Sequence, residues 1–413
     1  MAQTAVMEMF MEEIVGPVRN RVLLHWEQLY QANRKPLKEA FIRHFDKLCR
    51  EVAELQSIGE KGAIGHFTYS MLRTRLQEGR GVYLVEASDE TWLFDPASVA
   101  GEYDASWAFG YLDELQLLLE EERQRPGSPY AGGISRPELE KLLLRESQHG
   151  HQYVIALLRW AMPEAMLTEG FRKLEQCGIV EVRVGEYLDI SESVYRKDSD
   201  PADETEIRKW LAERIEGAYG YGALERLDLT GGDYSEMDFR YSAFRESTFG
   251  GSSFAESNLV GTVWEGCDLT DTEWNQGWLH GASFKNCRLV GALFHRAEAA
   301  CGLPDPGKWE IPGFHEISFA GADLSEAEFV LAKLRGARFT GAKLTGAILG
   351  WCDLTGADFR GADLRGTNFS GSCLIGAQMD TGACSLLSER PEMPELPFTE
   401  EAIMDWLKEE HQQ

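Results

Sequence analysis

The residues best able to do chemistry in this chain are few and scattered. Glu146 and His149 stand three apart, so a helix would place them on one face, but His151 falls off that face and no third ligand has matching spacing; no metal site is expected. Cys49 and Cys177 lie in apolar helical contexts with no partnering histidine nearby in sequence. Cys267, Cys287 and Cys352 recur at positions otherwise held by Ala, Ser or Thr, where cysteine packs as a small hydrophobe. Lys61, Arg73 and Arg75, with the glycines of GEKGAIG, could hold an anion or an acidic peptide; salt bridges to neighbouring carboxylates are the competing use. The chain has no phosphate-cradling glycine motif, nucleophile elbow or HExxH. No catalytic residue and no cofactor are indicated.

Charge narrows the partners. With 68 acidic against 41 basic residues, the net charge of -27 opposes attraction to nucleic acid or anionic membranes. A charged partner should be basic, or should itself read polyanions. Eight cysteines without paired spacing suit reduced thiols, and there is neither an apolar run of membrane-spanning length nor a secretory leader. A soluble cytoplasmic protein is expected.

The elements that position these residues divide at about residue 219. From Leu229 every fifth residue is large and apolar, through Phe239, Phe249 and Trp264 to Phe294, and again from Phe319 to Met379. Of these 27 positions, 23 are Leu or Phe, and 24 carry Ala, Ser, Thr, Cys or Gly two residues earlier. Neither helix nor strand has period five. A coil whose sides are pentapeptides has it, with turns stacking about 4.8 Å apart. The segments Ala-Asp-Leu-Ser-Glu at 322–326, Ala-Lys-Leu-Thr-Gly at 342–346 and Ala-Asp-Phe-Arg-Gly at 357–361 resemble the pentapeptide repeat family. That resemblance covers about residues 224–384 and implies a right-handed quadrilateral β-helix of seven to eight coils, about 35–40 Å long.

The stretch 295–318 breaks the pattern with three prolines and three glycines. It reads either as a degenerate coil, with Trp309 and Phe314 as poor inward residues, or as a projecting loop, which the Pro and Gly content favours. A twenty-residue period puts Val290, Val330, Leu331, Ile348 and Trp351 on one apolar face, a candidate partner contact unless this loop, the C-terminal segment or the N-terminal domain covers it. Tyr241 and Trp278 form a second candidate on another face, and Trp309 a third. Residues 385–413, with Pro391, Pro394 and Pro397 and a short helix capped by Thr399, read as a cap over the last coil.

Residues 1–218 read as a mainly helical domain with a few short strands. Leu37, Phe41, Phe45, Leu48, Val52 and Leu55 form one helical stripe. Strands are expected around GVYLVEA and TWLFD, helices over 103–124 and from Ser135 to about 160, and a hairpin around Gly185-Glu186. Helix then hairpin suggests a winged-helix-like part near 136–195. Glu169, Glu175, Glu181 and Glu186 outweigh Arg172, Lys173 and Arg183, so protein contact suits it better than DNA.

The fold class is thus α + β: a helical domain, a pentapeptide rod and a C-terminal cap. The function expected is a non-enzymatic adaptor whose rigid rod and helical domain bind a protein partner. Two alternatives stand beside it. The family resemblance implies a DNA mimic that binds gyrase or topoisomerase as a homodimer and protects it from poisons. An accessory or enzymatic role in peptide or natural-product modification would need a deep pocket in residues 1–220 or at the domain junction.

Overall fold

The computed structural model describes residues 2–199 and 203–381. The expected C-terminal cap, including Thr399, lies outside them. The chain opens as a helix, α1 (Ala2–Phe10), passes one π-helical segment at Met11–Val15, and continues as the 42-residue α2 (Gly16–Ser57). Then come β1 (Ile64–Met71), the short α3 (Arg73–Gln77), β2 (Val82–Ser88) and β3 (Val99–Asp104). Helices α4 (Tyr111–Gln124), α5 (Arg136–Ala165) and α6 (Glu169–Arg172) lead into β4 (Gln176–Glu186) and β5 (Ser191–Asp198). Helix α5 starts where Ser135 and Glu138 close a reciprocal capping box, which ends the preceding Pro-Gly loop.

The N-terminal domain is more than helical. Its five strands form one sheet in the order β3-β2-β1-β4-β5, antiparallel except for the central β1–β4 pair. Long helix α2 lays its stripe on the sheet: Phe41 meets Tyr69 and Tyr103 at 5.7 and 5.5 Å, and Phe45 meets Phe67 at 5.0 Å. The other sheet face is polar, and Trp92 lies on it, donating to Thr68 Oγ1 and stacking on His66. TWLFD is accordingly a 3-10 turn and not a strand. The winged-helix expectation is also corrected. The 185–190 hairpin is present, but β4 is an interior strand bonded to β1 as well as β5, so it is no free wing. Arg183 and Lys173 are spent on Glu181 and Glu169.

Helix α7 (Glu204–Ala212) follows and tucks Leu211 against the first coil of the rod, covering that end. Among the described residues the rod's longest strands are β6 (Ala223–Glu225), β7 (Ala243–Arg245) and β8 (Val263–Glu265), but parallel bridges link residue i to i+20 along it, so four pentapeptides make one coil. The residue types follow from the geometry. The central Leu or Phe points inward and the small residue two before it packs beside it, both essentially unexposed over most of the rod. The intervening Asp turns back on the chain, as where Asp323 Oδ1 accepts from Ser325 N at 3.1 Å. Twenty-residue spacing also stacks rings into columns: Phe244, Trp264, Phe284, Phe319, Phe339 and Phe359 in one, Phe254, Trp274, Phe294 and Phe329 in another.

The interruption is a loop. Ser283 bridges Ser318 and Glu298 bridges Lys333, both 35 residues on instead of twenty, so one side of a coil is completed and about three pentapeptides' worth of chain is extruded. Paired hydrogen bonds of 2.9 Å between Gly302 and Phe314 close the loop's neck. The shift corrects the face assignment made from a regular period. Val290 neighbours Ser325 through Gly291, whereas Val330 neighbours Arg296, so Val290 sits on an adjacent side of the coil.

Candidate functional site

The extruded loop is a strap that ties the rod to the α/β domain. Trp309 is 7% exposed and belongs to the core of the α/β domain, not to the rod. Its indole Nε1 donates to Tyr153 Oη at 2.7 Å, and that hydroxyl donates to Glu27 Oε2 at 2.8 Å. Glu27 Oε1 in turn accepts from the strap's own Gly313 N at 3.1 Å and from Gln31. Asn20 clasps the same turn, accepting from Trp309 N and donating to Gly307 O at 3.0 Å. At the strap's base Arg34 donates to Glu316 Oε2 (2.8 Å) and contacts His315 Nδ1 (2.7 Å). Trp309 therefore finds its partner within the chain. A large ring with one donor is buried where that donor is met.

Between strap, α5 and rod lies a cleft of about 850 Å³, open to solvent. One wall is the face of α5 that carries Gln152, Ala156, Arg159 and Trp160, and strand β5 adds Glu192 and Tyr195. The rod supplies the floor through Tyr241, Gly261, Gly281, Ser283 and Lys285; the strap closes one end with Phe314, His315 and Glu316. Gly261 sits at φ +65, and a Cβ there would come within 2.5 Å of the Tyr241 ring, so the ring lies down across the next coil. Arg159 rests on that ring at 3.8 Å and pairs with Glu192 at 2.5 Å. Trp160 carries Lys38 at 4.2 Å and stacks on His315 at 4.6 Å.

Electrostatics distinguish the cleft from its surroundings. Burial and the nearby Arg34 guanidinium push the His315 imidazole down to about 3, and burial lowers His280 as well, so both are neutral near pH 7. Burial alone would raise the Glu316 carboxyl, but Arg34 holds it below the usual range. Four carboxylates line the cleft, and each has a cation: Glu164 with Lys38, Glu192 with Arg159, Glu316 with Arg34, and Glu265 at 3.7 Å with Arg245, which it shares with Glu225 at 2.7 Å. Arg338 reaches Glu316 only at 3.9 Å, and Lys285 has no carboxylate partner among the described residues. In a chain of net charge -27 this is a local excess of cations.

The other expected site residues fall elsewhere. Lys61 is buried and ion-paired to Asp95; Arg73 and Arg75 take Glu186 and Glu78, so the three serve three separate carboxylates. Glu146 pairs with His149 at 3.2 Å and Arg19 at 3.3 Å, while His151 turns to Tyr83 Oη. Val330, wholly buried, lies under Leu331, Ile348 and Trp351 in a small cluster on the rod's outer surface, which no α/β-domain residue joins. Trp278 is 57% exposed on another side. Of the named candidates only Tyr241 lines the cleft. Gln152, Arg159 and Trp160 were missed because nothing in a helical stripe says which polar residues will face a separate domain, and Lys285 and His315 because neither the five-residue rule nor a loop's composition says what will lie opposite. No helix among the described residues is long and apolar enough to cross a membrane.

Comparison with known proteins accounts for the later part of the rod. The family model described as pentapeptide repeats matches residues 314–350 and 349–380, in eight copies, so the chain carries pentapeptide repeats there. No curated protein matches the chain. Trypsin-treated QnrB1, described as a plasmid-mediated fluoroquinolone resistance protein, is 22% identical over 44% of this chain and 95% of its own, with a TM-score of 0.29. HetL from the cyanobacterium Nostoc sp. strain PCC 7120, a pentapeptide repeat protein involved in regulating heterocyst differentiation, is 23% identical over 44% of this chain and 99% of its own, with a TM-score of 0.13.

Proposed function

We propose that this is a non-catalytic interaction protein, an adaptor in which the rod is the rigid support and the cleft between rod and α/β domain is the recognition site. One observation carries the reading. The Trp309–Tyr153–Glu27 chain locks the strap to α2 and α5, so the cleft walls are set before any partner arrives, and a preformed concave site costs little ordering on binding. The outward position of Ser283 allows a clean test, since Ser283→Trp fills the cleft without touching the inward residues. Full-length protein should recover a partner from its source cells, Ser283→Trp should lose it, and Trp351→Glu, on the remote apolar cluster, should keep it. The reverse pattern would move recognition to that cluster and away from the cleft.

A topoisomerase partner is the alternative that the pentapeptide resemblance brings. Arginine neutralisation of the acidic first block counts against it: Asp228, Asp233, Asp238 and Asp268 pair with Arg208, Arg214, Arg240 and Arg288, which interrupts an acidic strip. A gyrase supercoiling assay with and without a quinolone decides it. Protection or inhibition at low micromolar protein would establish the topoisomerase reading.

A further inference from the structure

Resting on the cleft reading above, we infer that the cleft takes an extended acidic peptide segment, with carboxylates spaced about three residues apart. Its unmet hydrogen-bonding capacity is the starting point. Gln152 Oε1 and Arg159 Nε are buried atoms without a partner, and both belong to residues lining the cleft. They stand seven residues apart on one face of α5, about 10.5 Å along the axis at 1.5 Å per residue. An acceptor and a donor at that separation cannot be met by one small anion. An extended chain advances about 3.3 Å per residue and offers backbone N–H and C=O groups throughout, so three residues of it reach from one to the other.

The cations at the mouth repeat the spacing. Ser283, Ser318 and Arg338 are bridged in succession, which places Arg338 two coils, about 9.6 Å, along the rod from the residue two before Lys285. Neither Lys285 nor Arg338 is held closely by a carboxylate, while the cleft's own four acids are already paired. Acidic side chains three residues apart on a segment extended as polyproline II, with three residues per turn and a rise of about 3.1 Å, lie on one side and match that interval. The aromatic side chains act in the wall and not as stacking platforms, since Tyr241 lies against Arg159 and Trp160 against Lys38 and His315. The volume of about 850 Å³, open to solvent, admits a short stretch of chain.

The test is calorimetric titration of the full-length chain with the peptide Ala-Glu-Ala-Ala-Glu-Ala and its glutamine counterpart. The glutamate peptide should bind at least tenfold more tightly, and Lys285→Glu combined with Arg338→Glu should weaken it at least tenfold more. Both substitutions sit on the outer surface of the rod, and the unfolding temperature of the double variant checks that the fold is intact. Equal affinity for the two peptides, or binding unchanged in the double variant, overturns the inference. So does full competition by free glutamate or pyrophosphate, which would make the site one for small anions. If the peptide fails while Ser283→Trp still abolishes partner recovery, the cleft remains the recognition site and only this ligand class falls.

Discussion

The α/β domain and the rod each bury a large apolar core, but they treat polar groups in opposite ways. The domain encloses titratable side chains: Glu27 under the strap, the Lys61–Asp95 pair, Glu146 and His151. The rod's core columns hold no charged side chain, and their polar groups turn to the rod's own backbone or to a neighbouring hydroxyl, as where Ser257 Oγ donates to Tyr234 O at 2.7 Å and accepts from Met237 N at 3.2 Å; Glu328, buried beside His295 at 3.2 Å, lies off those columns. Its charges sit outside, in Asp turns. The difference teaches where each half should be vulnerable, to solvent conditions in the domain and to packing defects in the rod.

The largest effect that would break this contrast is a charge in the rod. Phe339 stacks between Phe319 and Phe359 at 5.1 and 4.8 Å, and Phe339→Asp or Leu344→Asp should abolish cooperative unfolding of the rod while leaving the α/β core able to melt on its own. A soluble variant with both calorimetric transitions unshifted would contradict the stacked core. Next in size, Trp309→Ala should destabilise the α/β domain by about 3–5 kcal/mol, although the residue belongs to the rod's sequence. The domain's transition in scanning calorimetry is where that loss should appear.

Acid should separate the halves. Burial pushes the His44 and His151 imidazoles down to about 4, and burial with Arg34 pushes His315 to about 3, against an ordinary value near 6.5. Below pH 6.5 the unfolded chain takes up protons that the folded domain refuses, so domain stability falls as pH drops from about 6.5 towards 4, with a slope of up to about 1.4 kcal/mol per pH unit per histidine. In the rod burial lowers His280 in the same sense, and the other shifts that acid meets there are those of carboxyls. Hydrogen bonds from the Thr230 side chain and backbone and from the Thr248 side chain hold Asp228 to about 2, and the Arg365 guanidinium holds Asp363 there too. Their stabilisation is complete above about pH 4 and is lost only as pH falls through about 2. Unfolding temperatures measured from pH 7 to 3 should therefore show the domain transition moving first, and parallel movement of both would remove the distinction. The smallest effect sharpens it: Ser257→Ala leaves Met237 N without its partner and should cost the rod about 1–3 kcal/mol with no change in the domain's pH profile.

Legibility followed the same division. The rod could be read because one five-residue rule repeats, and a ladder from i to i+20 needs nothing beyond it. The sheet could not, because β1 is buried along nearly its whole length and so shows no alternation, and its parallel partner β4 lies more than a hundred residues on. Trp309, a large aromatic in a Pro-Gly loop, read as a partner contact, and its destination against Asn20, 289 residues away in the same chain, left no trace in local pattern. Cleft residues Arg159 and Gln152 look like any solvated helix face until the rod is placed opposite them.

The strap also sets an order of events during synthesis. The α/β domain's own sheet is complete at Asp198, yet its core waits for Trp309 and Glu27 waits for Gly313. At about 5–20 residues per second, the interval between those points is on the order of ten seconds, and through it Glu27 and Tyr153 face an unfilled socket. The first half of the rod must emerge and coil before the socket can close, so the N-terminal domain of this chain matures only after much of the C-terminal one has been made.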